Sequence, residues 1–221
     1  MKKICMLTLS IAEAKPDSSR FEINCAHLTN QKTAPIVAFA LTKDKIFDSS
    51  GNALWDIGKI TLLTQQPFES KKTNKKNKVF VVNGPVEFLA EKEITLPQLK
   101  DFLEHNKTGY ETFERNMDMP FAIVKARNLV SIEEDRTTEK KYRKQRLYVD
   151  FDDYHRQEKI LNKDYRWIHY WRQIPDDQIW EKQDRMKDLL NEPGKNLYLI
   201  LRRYYFDNGN KQVWISGMHW I

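Results

Sequence analysis

A chain of 221 residues with 40% hydrophobic and 31% charged side chains can bury a real core, and its length suits two domains of roughly 100 residues each. A formal charge of +6 and a sequence pI near 9.1 suit an anionic partner. Two cysteines cannot staple a fold of this size, no apolar run approaches the roughly 20 residues that span a bilayer, and 7 glycines hardly build a phosphate-cradling loop. Disulfide scaffolds, membrane-spanning helices and nucleotide hydrolases are therefore disfavoured.

In chain order, Lys2-Lys3 before a short apolar run imitates a secretory leader, with Ala12-Glu13-Ala14 as its cleavage site. Thr8 and Ser10 interrupt that run, so it reads as a first strand and the protein as cytoplasmic, with Cys5 and Cys25 as small buried thiols. Residues 20–26 alternate Phe21, Ile23 and Cys25 against Glu22 and Asn24, a second half-buried strand. Residues 35–41 are a continuous apolar run, either a buried strand or a short helix. Residues 57–63 and 78–82 read as further strands. The segment joining them carries Lys71, Lys72, Lys75, Lys76 and Lys78 against Glu69 alone. It is a solvated loop or a phosphate-tracking arm, and Lys75 and Lys76 are its candidate contacts.

Residues 96–104 read as a helix, with Leu99, Phe102 and Leu103 on one face and Pro97 in the first turn. Residues 107–119 look polar and irregular. A new unit opens at residue 121 with the strand 121–126, which 129–132 continue. Residues 133–145 form a charged connection, basic in its second half. The strand 146–151 then places Leu147, Val149 and Phe151 on one face and Arg146, Tyr148 and Asp150 on the other.

The run Tyr165-Arg166-Trp167-Ile168-His169-Tyr170-Trp171-Arg172 interleaves rings with cations. Exposed, such a run binds single-stranded nucleic acid by stacking bases and pairing phosphates. At helical spacing Trp167, Tyr170 and Trp171 instead share one face and pack as core, with Arg166 and Arg172 at its rim. Residues 176–191 have a helical signature, with Asp176 and Asp177 in the first turn and Pro193-Gly194 beyond its end. Asp207-Asn208-Gly209-Asn210 then joins two closing strands as a hairpin. Mainly β structure with inserted helices suits two small OB-like Greek-key barrels packed together, one over 1–110 and one over 111–221.

The succession Asp56-Ile57-Gly58-Lys59-Ile60-Thr61-Leu62-Leu63, the Gln-Pro region at 65–67, the strands at 79–83, 121–126 and 146–151, and the closing pair resembles the dual OB-fold domain of uncharacterised prokaryotic proteins. That resemblance implies a module of defence and mobile-element systems that contacts nucleic acid and carries no catalytic residues.

No histidine or cysteine pair has zinc-ligand spacing among His27, His105, His155, His169 and His219. Cys25 and His27 share a strand face without a third orienting group. Asp150, Asp152, Asp153 and His155 can hold Mg²⁺ as a nuclease does, and Glu13-Ala14-Lys15 and Glu139-Lys140-Lys141 each imitate half of a nuclease motif. Neither triplet has a partner. The expectation is a non-catalytic binder of single-stranded DNA or RNA, without metal or cofactor, acting beside a protein partner that supplies enzymatic activity. Its contacts would be Lys75, Lys76, Arg143, Lys144, Arg146, Tyr148, Arg166, Trp167, Trp171 and Arg172. The rival expectations are a protein-interaction subunit and a metal-dependent nuclease.

Overall fold

Strands dominate the fold. The computed structural model describes residues 3–13, 20–28, 35–42, 46, 55, 57–64, 69–70, 79–81, 86–135, 143–206 and 208–221. The chain divides into two compact units, residues 1–106 with 205–211 and residues 107–204 with 212–221. Among the described residues no helix is long and apolar enough to cross a membrane.

In the first unit β1 (Lys3–Glu13), β2 (Arg20–His27) and β3 (Ile36–Thr42) form an antiparallel meander. The apolar run of β3 resolves as a strand. β4 (Lys59–Thr64) returns to pair with β1, and β7 (Val86–Glu93) pairs with β4. On the other side β6 (Val79–Val81) runs parallel to β3, with β5 (Glu69–Ser70) outside it. The order β5-β6-β3-β2-β1-β4-β7 is an open seven-stranded sheet among the described residues, where a closed barrel was expected.

β1 and β2 are buried on both faces. Leu7, Leu9, Ile23 and Cys25 are core, and so are Thr8, Ser10 and Asn24. Burying those polar groups is tolerable because they bond to one another: the Asn24 amide donates to Ser10 Oγ at 2.8 Å and Cys25 Sγ to Thr8 Oγ1 at 3.9 Å. α1 (Leu96–Asn106) opens on a capping box. Gln98 Oε1 accepts from the Thr95 amide at 2.8 Å while Thr95 Oγ1 accepts from the Gln98 amide at 3.4 Å.

The second unit is a closed five-stranded barrel. Its strands are β8 (Phe121–Glu134), β9 (Gln145–Phe151), β10 (Tyr154–Asn162), β11 (Leu197–Tyr205) and β12 (Lys211–Trp220). Around the barrel the order is β8-β9-β10-β12-β11 and back to β8, with β10 and β12 parallel. The segments 121–126 and 129–132 are one strand, bent by register shifts at Ala126/Asn128 and Leu129/Ser131. Residues 133, 134 and 145, expected in a connection, lie in the ladder, with Glu133 opposite Arg146 and Glu134 opposite Gln145. Residues 154–162 form an unanticipated strand. At the hairpin between β11 and β12, Gly209 sits at φ +83°.

Between β10 and β11 come α3 (Tyr165–Gln173), a 3-10 turn (Asp176–Gln178) and α4 (Ile179–Leu190). The segment expected to be irregular holds a short helix, α2 (Tyr110–Arg115). The barrel interior is filled by Leu147, Val149, Phe151, Ile160, Leu199, Leu201 and Ile215 in one cluster with Phe113 and Trp171. The two units share a connection pattern. In each, the fourth strand returns beside the first and a later strand runs parallel to the third: β4-β1-β2-β3-β6 and β11-β8-β9-β10-β12.

Candidate nucleic-acid interface

Because Leu147, Val149 and Phe151 fill the barrel, alternation turns Arg146, Tyr148 and Asp150 to its outer surface. The ladders bring partners to them. Glu133 of β8 lies opposite Arg146, and Lys159 of β10 lies opposite Tyr148. The Tyr148 hydroxyl donates to Glu133 Oε2 at 2.7 Å, and Lys159 Nζ lies 2.7 Å from the same oxygen. Arg146 is 3.7 Å from Glu133 Oε1, and the Lys159 ammonium stands 5.2 Å from the centre of the Tyr148 ring. The hydrogen bonds from Lys159 and Tyr148 hold the Glu133 carboxyl below the usual carboxylate range.

Two cations, one phenol ring and one carboxylate therefore share a solvated patch across three strands. Leu161 lies opposite both Arg146 and Trp214, so the same register row reaches β12 across a side chain that is itself buried. There Trp214 stacks on Tyr204 with centroids 4.8 Å apart, and Lys163 Nζ lies 5.5 Å from the Trp214 ring. Rings alternating with cations are what a single strand uses for stacking and phosphate pairing.

Other expected contacts lie elsewhere. Arg143 makes a two-pronged pair with Asp176, at 2.9 and 3.0 Å, and its side chain is only 11% exposed, so it fastens the approach to β9 onto the turn before α4. Lys144 is exposed at the start of the ladder. Trp171 is 2% exposed in the barrel core and offers no face for stacking. Trp167 is half-buried against the same cluster, and its indole donates to Gln145 Oε1. Arg172 stands beside a small hollow with Glu134, Arg143 and Gln145. Arg166 is exposed on α3. Lys75 and Lys76 lie outside the described residues.

The residues that sequence reading missed are Glu133, Lys159, Lys163, Tyr204 and Trp214. A register shift between Tyr154 and Glu158 hides the alternation that would have marked β10 and Lys159. Trp214 does follow the Asn-Gly turn at strand spacing, and that signal was available.

Two of the carboxylates in the nuclease reading have structural partners. Asp150 pairs with Arg127 at 3.7 Å. Asp153 accepts the Tyr110 and Glu111 amides at 3.0 and 3.1 Å, supplying the side-chain cap that Gly109 cannot give α2. Among the described residues no three His, Cys, Asp or Glu side chains are grouped to hold a metal ion. No family model and no curated protein sequence matches the chain.

Proposed function

We propose that this protein binds single-stranded DNA or RNA without acting on it chemically, through the outer face of β9 and β10. The observation that carries the reading is the cluster of Arg146, Tyr148 and Lys159 on that face, continued by the Trp214–Tyr204 stack. Its frame supports it. A closed five-stranded barrel with third and fifth strands parallel, and helices between third and fourth, is OB-like, and such barrels take oligonucleotides on the face of their second and third strands. In the same proposal the first unit is an opened relative of that barrel, since it repeats the connection pattern. The free thiols Cys5 and Cys25 support a reducing, cytoplasmic setting. The resemblance to dual OB-fold proteins supports an accessory role in prokaryotic defence or mobile-element systems, beside a partner that supplies enzymatic activity.

Filter binding of labelled single-stranded DNA and RNA tests the proposal. Capture at low salt, weakened by Lys159→Ala, is expected. No capture of either polymer would overturn it.

A second reading, a protein-interaction subunit, is favoured by Trp180 of α4, a large apolar side chain that is 67% exposed. It expects a molecular mass that rises with concentration, or a stable co-purifying complex, and loss of either with Trp180→Glu.

A further inference from the structure

A cleft of about 350 Å³ opens between α3, α4 and the end of β12, apart from the β9–β10 patch. Trp167, Tyr170 and Trp220 supply rings to its walls, Met186 and Met218 supply thioethers, and Arg166 supplies a cation. We propose that this cleft binds a flat heteroaromatic base carrying a phosphate, with the ring among Trp167, Tyr170 and Trp220 and the phosphate at Arg166.

The volume falls within the range of small-molecule sites, which are mostly apolar with a few placed polar groups. Aromatic walls stack on any base, and thioethers adapt to its edge. The charge around the cleft is complementary to phosphate. Arg166 lines it, and Lys195 stands 5.1 Å from the Trp220 ring centre. The one carboxyl in the lining, Asp164, is buried and already accepts the Trp167 and Met218 amides at 3.1 and 2.9 Å. Burial pushes that carboxyl up, against the opposing pull of Arg166. An aliphatic peptide anchor would fill the apolar walls and leave Arg166 without a use.

The same chemistry is offered by a free mononucleotide or by the phosphorylated end of a strand, and the second source rests on the single-strand reading above. Titration of the full chain with AMP, GMP, CMP and UMP, followed by tryptophan fluorescence and calorimetry, tests the site. Saturable binding is expected, weakened about tenfold by Tyr170→Ala and by Arg166→Ala. Tyr170 is 43% exposed, and thermal melting of each variant checks that it is folded. A 5′-phosphorylated oligonucleotide that displaces the mononucleotide, where its unphosphorylated counterpart does not, assigns the site to strand ends. Displacement by neither assigns it to the free nucleotide.

The proposal is overturned if no mononucleotide or phosphorylated end binds in a way sensitive to Tyr170→Ala or Arg166→Ala. It is equally overturned if an apolar peptide occupies the cleft regardless of Arg166→Ala. The two proposals fail separately. Oligonucleotide binding that responds to Lys159→Ala, with no mononucleotide or phosphorylated-end binding sensitive to Tyr170→Ala or Arg166→Ala, removes the cleft and leaves the sheet face. Mononucleotide binding without any oligonucleotide binding does the reverse.

Discussion

Glu133 sets the chemistry of the sheet face. Its carboxylate accepts from Tyr148 and pairs with Lys159 and Arg146, so an incoming phosphate competes with an anion already in place. Glu133→Gln removes that competitor, and a several-fold gain in affinity for single-stranded nucleic acid is expected by fluorescence anisotropy. The pH dependence follows with its sign. Because the Glu133 carboxyl titrates below the ordinary range, it stays charged as pH falls through 5, and it contributes no rise in affinity over pH 8 to 5. Tyr148→Phe keeps the ring and loses only the bond to Glu133, whereas Tyr148→Ala removes the stacking surface. Affinity retained in the first and reduced roughly tenfold in the second identifies stacking as the role of this residue. In the other unit, burial pushes the Cys25 thiol up to about 12, so it is neutral at pH 8. Mass spectrometry after iodoacetamide treatment at that pH is expected to find Cys25 unmodified until denaturant is added.

α2 is held at both ends by side chains from other elements of the second unit. Arg203 is fully buried beneath α2. Its guanidinium donates to the carbonyls of Phe113, Asn116 and Met119 and lies 4.2 Å from the Phe113 ring centre, which closes the C-terminal end of that helix. Arg203→Met strands those carbonyls, and a loss of at least about 3 kcal/mol in denaturant unfolding is expected. At the other end of α2, a methyl on Gly109 would drive into the Asp153 carboxylate that caps the helix. Gly109→Ala and Asp153→Ala are each expected to cost about 1 kcal/mol or more.

Legibility at this scale followed periodicity. β9 could be read because seven residues alternate without interruption, whereas the spacing of Trp167, Tyr170 and Trp171 left an exposed run and a packed face both open, and α3 divides them, with Trp171 buried and Tyr170 43% exposed. β10 could not be read, since its register shift puts Arg156, Gln157 and Lys159 among exposed residues with no apolar beat. Glu133 was hidden for a related reason: a charged residue on the outer face of a strand reads as loop until its cross-strand partner is known. Arg143 shows the opposite error, a cation that looks free in sequence and is committed to Asp176 through space.

For the whole molecule, a net charge of +6 is modest, and it gains meaning from where rings and cations meet. The second unit joins a closed barrel to an outer face bearing Arg146, Tyr148 and Lys159, and the connection pattern of the first unit repeats that of the second. The most direct test is the salt dependence of single-strand binding by the full chain. Affinity for single-stranded DNA or RNA is expected to fall linearly on a log–log plot against salt, and Lys159→Ala is expected to lower the slope by about 0.7, the share of one phosphate contact. Absence of binding at low salt, or binding whose slope is the same in Lys159→Ala, would contradict the assignment of the β9–β10 face.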